Sequence, residues 1–195
     1  MSGFILASKS ASRRAMLTGA GMQFDPVPAD IDERALEASL EDAAPSVVAE
    51  ALSSAKAEAV SRQHPERLVV GSDSLVSVEG RRFDKPDSRE QAAEHLSFFS
   101  GKVMELHSGA ALARGGQAIW SHSDVARLQV RALDAAFIEA YLAREWPEVS
   151  HCVGVFRIEA LGPHLFERIE GDYFTVLGMP LLPLLGALRR EGIGL

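Results

Sequence analysis

The chain has 195 residues, a formal net charge of −7, 47% hydrophobic and 24% charged residues, so it is long enough to bury a full core and is not composed for disorder. The acidic balance argues against non-specific nucleic-acid binding, which needs a basic face, and no apolar run approaches the roughly 18 residues of a membrane span. The N-terminus shows no signal-peptide pattern, and the lone Cys152 excludes an internal disulfide or a cysteine-rich zinc site, so the expectation is a cytoplasmic protein with neither nucleic-acid nor membrane partners.

Phe4 to Ala7 reads as a buried strand. It exits through Ser8, Lys9, Ser10, Ala11 and Ser12 into Arg13 and Arg14, after which Met16, Leu17 and Gly19 outline a short helix. A strand that leaves through hydroxyls into a helix start gathers backbone N–H groups, hydroxyl donors and fixed positive charge, which is what a polyanion needs. The same residues also suit an ordinary N-cap followed by a solvated arginine pair. From Phe24 to Arg34, Pro26 and Pro28 favour extended backbone, giving an edge strand that runs into an acidic loop with Asp30, Asp32 and Glu33.

Val48, Ala51, Leu52, Ala55 and Ala59 recur at helical spacing from Pro45 to about Arg62. Lys56 borders that stripe, placed either to snorkel to water or to reach a ligand lying over the helix. Leu68 to Val70 reads as a buried strand, followed by Gly71-Ser72-Asp73 and, at Glu79-Gly80, a hairpin turn. A carboxylate directly after an apolar strand is either paired or doing chemistry, because an unpaired buried one is costly. Lys85 is held extended by Pro86, and Ser88 with Gln91 forms a capping box for a helix that Gly101 stops. Val103 to Ala113 and Gln117 to Arg131 read as paired strands around Arg114-Gly115-Gly116.

Asp134 caps a helix carrying Phe137, Ile138, Tyr141 and Leu142, ended by Trp146-Pro147. The last third is irregular, with a short strand at 165–169 and a terminal helix from Leu181 to Arg190. No repeat, low-complexity stretch or linker appears, so one interleaved α/β unit is the simplest account, with a bend into two lobes allowed. His151 and Cys152 lack the partners of a zinc site or a catalytic dyad and read as packing. Asp172 suits structural support as well as substrate contact.

The segments ILASKSASRR, DIDE, the Lys56 helix, VVGSD, DKP, SGK and FERIEGDYFTVLGMP stand in the order of the motifs of the Maf-like nucleoside triphosphate pyrophosphatases. The chain resembles that family over nearly its whole length. The resemblance implies a single domain over 1–195 with a Maf/ITPase-like α/β fold: an elongated mixed β-sheet flanked by helices, with two lobes around a cleft. It also implies hydrolysis of a nucleoside triphosphate between the α and β phosphorus atoms, a divalent cation (Mg or Mn) and a homodimer. Carried over by position, the phosphate-binding turn falls on Ser10, Arg13 and Arg14, with Ser8 completing the cradle. The acidic loop falls on Glu33, the helix lysine on Lys56, the proton acceptor on Asp73 and a second-lobe lysine on Lys85. Glu33 and Asp73 are the expected metal ligands.

The departures carry information too. Ala11 stands where the family usually has Pro, Asp84 where it has Gly, and Ser74 where it has Thr or Gln. The branch that cleaves dTTP and UTP carries an arginine where this chain has Ser12, and an AGAY-like segment late in the chain. Here HCVGVFRIEA resembles instead the HCAGSF segment of the branch acting on 7-methyl-GTP, with Ala160 in place of that branch's usual Gly. Ser12, Ser74 and Glu159 are therefore the specificity candidates; Glu159 is either a reader of guanine N–H groups or an exposed strand-end acid. The competing functional readings are a non-catalytic nucleotide-binding regulator and a dTTP/UTP pyrophosphatase. A kinase or transferase is disfavoured by the absence of GxxxxGK[ST].

Overall fold

The computed structural model describes residues 3–194. Its strands are β1 (Phe4–Leu6), β2 (Phe24–Pro26), β3 (Val69–Val78), β4 (Arg81–Phe83), β5 (Val103–Arg114), β6 (Gln117–Val130) and β7 (Phe166–Glu170). They join in one seven-stranded mixed sheet of order β2-β1-β3-β5-β6-β7, with β4 paired to β3. β1 runs parallel to β2 and β3, whereas β3 with β4 and β6 with β7 are antiparallel. The helices are α1 (Ala11–Gly19), α2 (Glu33–Ser39), α3 (Pro45–Gln63), α4 (Arg89–Phe99), α5 (Ala135–Glu145), α6 (Tyr173–Val176) and α7 (Leu181–Arg190).

The chain divides into two compact units, each assembled from separated segments. The first comprises the chain up to Ser74, His107–Asp124 and the chain from Asp172; the second comprises Leu75–Leu106 and Val125–Gly171. In the first unit the apolar run of β1 is covered on both faces, which is why it does not alternate with polar residues. Phe4 and Leu6 pack with Leu17, Val70, Leu112, Met179, Leu184 and Leu188, on the side of α1 and α7. Ile5 and Ala7 pack with Ala57, Val60, Val69 and Ala111, on the side of α3. Each such large aliphatic side chain contributes about 1.5–3 kcal/mol by leaving water. In the second unit an aromatic group forms around Phe83, whose ring meets Phe99 edge-on at 4.8 Å, with Arg81 and Lys102 lying over Phe83 and Phe98 respectively.

Ser88 and Asp134 cap α4 and α5 as read from the sequence, and Ser10 caps α1, which starts at Ala11. Gly115 and Gly116 both have positive φ (58° and 84°) and make the two-residue turn between β5 and β6. Three readings need correction. Glu33 is not in a loop: it is the first residue of α2, whose N-cap Asp32 accepts from the amide of Ala35 at 2.9 Å. Gly71-Ser72-Asp73 does not follow a strand but lies inside the ten-residue β3. Gln91 accepts from the amide of Asp87, not from that of Ser88, so only half of the capping box forms. Asp172, read as suited to structural support, has such a role: it caps α6, a helix the sequence reading did not include, accepting from the amides of Phe174 and Thr175. Short helices of this kind carry too few residues to show a period.

Candidate active site

Asp73 is the residue on which three elements of the first unit converge. It sits in the middle of β3, facing α3, and the approach of that helix depends on glycine. A Cβ on Gly71 would lie 2.1 Å from the carbonyl oxygen of Ser53 and 2.7 Å from the amide of Ala57; one on Gly109 would lie 2.6 Å from the carbonyl oxygen of Ala49. The helix backbone therefore rests on the strands themselves. Ser53 closes the contact, accepting the amide N–H of Asp73 at 2.9 Å and donating to the carbonyl of Ala49 at 2.6 Å.

Three residues further along α3, Lys56 is only 9% exposed. It does not snorkel to water: its Nζ donates to Asp73 Oδ1 at 2.5 Å and to Glu33 Oε2 at 2.9 Å. A buried ammonium is unfavourable without partners, and two carboxylates supply them. Glu33 reaches the group from the first turn of α2, where an anionic side chain is favoured. Its side chain stays half exposed, while those of Lys56 and Asp73 are nearly closed off. The three groups carry a net charge of −1 in their ionised forms, with the acceptor and the cation already in hydrogen-bond contact.

The basic turn is tied to the same strand. Ser10 Oγ accepts from the amide of Arg13 and lies 3.0 Å from Ser12 Oγ, while Ser8 Oγ accepts from the amide of Ser10. Arg13 points inward. Its Nε donates to Gly178 O at 2.9 Å, Nη1 to Ser72 O at 2.9 Å and to Ser8 Oγ at 3.4 Å, and Nη2 to Ser74 Oγ at 2.8 Å. Burial pushes its pKa below the usual guanidinium range, against the opposing charges of Asp73 and Glu33. Ser74 Oγ in turn donates to Gly178 O at 2.9 Å and lies 3.1 Å from Ser108 Oγ. Gly178 has φ +102°, and a Cβ there would meet Ser74 Oγ at 3.1 Å, so both backbone and space call for glycine. Arg14 is exposed, and its side chain makes no hydrogen bond or ion pair with any described residue.

Lys85 and Glu159 belong to the second unit and are exposed. Glu159 lies in a turn, not at a strand end. Its segment is anchored to α5 by Tyr141, which donates to the carbonyl of Val155 at 3.0 Å, and by Arg157, whose Nε donates to the buried Glu145 at 3.0 Å. Burial pushes the Cys152 thiol up to about 11; Glu159 adds to the rise, and Arg157 and Lys85 oppose it. Lys85 and Glu159 are thus within electrostatic reach of one thiol.

Asp73, Lys56 and Glu33 come together as one ion-paired group, and Ser8, Ser10, Ser12, Arg13 and Ser74 form a hydrogen-bonded network touching both neighbours of Asp73. Sequence reading passed over Ser53 and Gly178. The available signal for Ser53 was its place one helical turn before Lys56; both lie on the buried face of α3 with Ala49, Leu52, Ala57 and Val60, not on the stripe read from the sequence. The donor set suits a hard divalent cation: Lys56 takes one oxygen of each carboxylate, and Glu33 Oε1 and Asp73 Oδ2 lie outside those two contacts. Among the described residues there is no group of three or more His, Cys, Asp or Glu side chains able to hold a metal ion. Such a cation would need phosphate or water oxygens to complete its shell, as Mg²⁺ commonly does.

The chain is similar to known proteins over nearly its whole length. A nucleoside triphosphate pyrophosphatase of Nitrobacter hamburgensis is 45% identical over 189 residues, covering 97% of this chain and 94% of that one. A 7-methyl-GTP pyrophosphatase of Brucella suis is 47% identical over 189 residues (96% and 95%), and one of Mesorhizobium japonicum is 47% identical over 190 residues (96% of each chain). The Maf-like protein family matches residues 3–191, from the start of β1 to the end of α7, and the chain belongs to that family.

Proposed function

We propose that this chain is a nucleoside triphosphate pyrophosphatase that hydrolyses the α–β phosphoanhydride to a nucleoside monophosphate and pyrophosphate, with 7-methyl-GTP as its preferred substrate. The observation that carries the reading is the buried Lys56 bonded to both Asp73 and Glu33. The names of the Nitrobacter and Brucella relatives support the reaction, and those of the Brucella and Mesorhizobium relatives support the base. Hydrolysis at phosphorus requires a positioned water, a group to take its proton, and neutralisation of the charge on the leaving pyrophosphate. Asp73 is the proton acceptor: its carboxylate is fixed by Lys56 and its backbone by Ser53, so it is oriented before substrate arrives. Lys56 holds its positive charge beside the reacting group and keeps two carboxylates together that would otherwise repel.

Glu33 and Asp73 would hold Mg²⁺ or Mn²⁺ jointly with phosphate oxygens, and the ion would supply charge neutralisation and water acidification. Ser10 and Arg14 offer a hydroxyl and a guanidinium to the phosphates, and Lys85 is proposed as a further charge. Glu159 accepts from the Watson–Crick edge of guanine and favours the positive charge of a 7-methylated ring. A cytoplasmic location and a homodimer complete the proposal. A panel of 7-methyl-GTP, GTP, dTTP and UTP, with released phosphates identified in Mg²⁺ and in Mn²⁺, tests it. Pyrophosphate released fastest from 7-methyl-GTP is the expected result. Preference for dTTP or UTP would move the chain to the other branch, and tight binding without turnover would make it a regulator.

A further inference from the structure

We infer that Arg13 is a positioning residue for Asp73 and not a phosphate ligand: its guanidinium bridges the two residues that flank Asp73 and ties them to the Gly178 turn. The inference rests on the pyrophosphatase reading, within which the arginine pair of the basic turn would otherwise be two equivalent phosphate clamps.

The two arginines are not equivalent. A guanidinium has five N–H donors, and the Nε, Nη1 and Nη2 atoms of Arg13 already make four hydrogen bonds within the first unit, to Gly178 O, Ser72 O, Ser8 Oγ and Ser74 Oγ. The bond to Ser72 precedes Asp73 in the chain and the bond to Ser74 follows it, so one planar group spans the catalytic position. Gly178 O accepts from Arg13 Nε and also from Ser74 Oγ, which closes the brace into a ring of hydrogen bonds. With Ser53 holding the Asp73 amide, the strand is fixed at residues 72, 73 and 74 in succession. A lysine could not reproduce this, because its three donors leave one point and do not form a fork. Arg14, exposed and without a side-chain partner among the described residues, is the arginine available to substrate.

The test compares Arg13→Ala, Arg13→Lys, Ser74→Ala and Arg14→Ala by steady-state kinetics with 7-methyl-GTP, by calorimetric binding of pyrophosphate, and by hydrogen exchange in β3. Both Arg13 variants are expected to lose about 100-fold in kcat, the cost of a roughly 1 Å misplacement, with KM and pyrophosphate affinity changed by less than about threefold. Retaining the charge as lysine should not help, whereas added guanidinium ion should restore part of the kcat of Arg13→Ala. Ser74→Ala should speed exchange at 72–76 and lower kcat in the same pattern but less, and it carries the test if Arg13→Ala does not fold. Arg14→Ala should do the reverse, weakening pyrophosphate binding about tenfold and leaving exchange in β3 unchanged. Pyrophosphate affinity lost in Arg13→Ala as fully as in Arg14→Ala, or full kcat in Arg13→Lys, overturns the inference. If the wild type releases pyrophosphate from no nucleotide, the pyrophosphatase reading fails. Exchange and pyrophosphate binding then still decide whether Arg13 braces the strand.

Discussion

The two units hold their candidate residues in different ways. In the first, Asp73, Lys56, Arg13 and Ser74 are each fixed by hydrogen bonds to elements distant in sequence, and each is buried or partly buried. In the second, Lys85 and Glu159 are exposed and make no hydrogen bond or ion pair with any described residue. Preorganised groups suit a chemical step whose geometry must not vary, and free side chains on a braced segment suit recognition that differs between substrates. The difference predicts that substitutions at the hydrogen-bonded positions of the first unit act on kcat, whereas those at the exposed positions, Lys85 and Glu159 of the second unit and Arg14 of the first, act on KM, binding or choice of base.

Substitutions that break this division would show it to be wrong. The largest effect is expected for Asp73→Asn, which keeps the shape but removes the proton acceptor: kcat should fall by about 10²–10⁴-fold, with KM little changed, as read by pyrophosphate release. Gly71→Ala should come next. Its new methyl group would meet the backbone of α3 at Ser53 and Ala57, so the helix must move off the strand; a stability loss on the order of 1–3 kcal/mol is expected, seen as a lower Tm together with a fall in kcat.

Smaller effects belong to the second unit. Glu159→Gln should cut the preference for 7-methyl-GTP over GTP by roughly tenfold, the worth of one charge-assisted hydrogen bond, without shifting the Tm; Lys85→Ala should raise KM several-fold, about 1 kcal/mol. The smallest effect concerns Cys152. With its thiol pushed up to about 11 by burial and Glu159, little thiolate exists at pH 8. Alkylation by iodoacetamide, followed by mass spectrometry, should be slower than for a free thiol and should accelerate as pH rises toward 11. Rapid labelling at neutral pH would mean that the segment carrying Glu159 is open rather than anchored.

Much of this was legible in the sequence, and the reason is local. The helix caps at Ser88 and Asp134 and the glycine pair of the β5–β6 turn are patterns carried by neighbouring residues, whereas the stripe read on α3 is not the face that packs: Ala49, Ser53, Lys56, Ala57 and Val60 are buried beside Val48 and Leu52, and Ala51, Ala55 and Ala59 are only partly buried. Asp73, Lys56 and Glu33 were identifiable as candidates because their order matches a family's motifs. What could not be read was how they are held. The burial of Lys56 depends on Gly71 and Gly109 admitting the helix backbone, and the inward turn of Arg13 depends on Gly178, 165 residues away in sequence. Contacts at that separation leave no period and no spacing, so one of two adjacent arginines looks like the other until the fold separates them.

Hydrolysis of 7-methyl-GTP in heavy-oxygen water tests the assignment of Asp73 most directly. Water attack at the α-phosphorus, promoted by Asp73, predicts that the label appears in the nucleoside monophosphate and not in pyrophosphate, and that Asp73→Asn slows its incorporation by about 10²–10⁴-fold. Label found in the pyrophosphate, or incorporation into the monophosphate at an unchanged rate in Asp73→Asn, would contradict it.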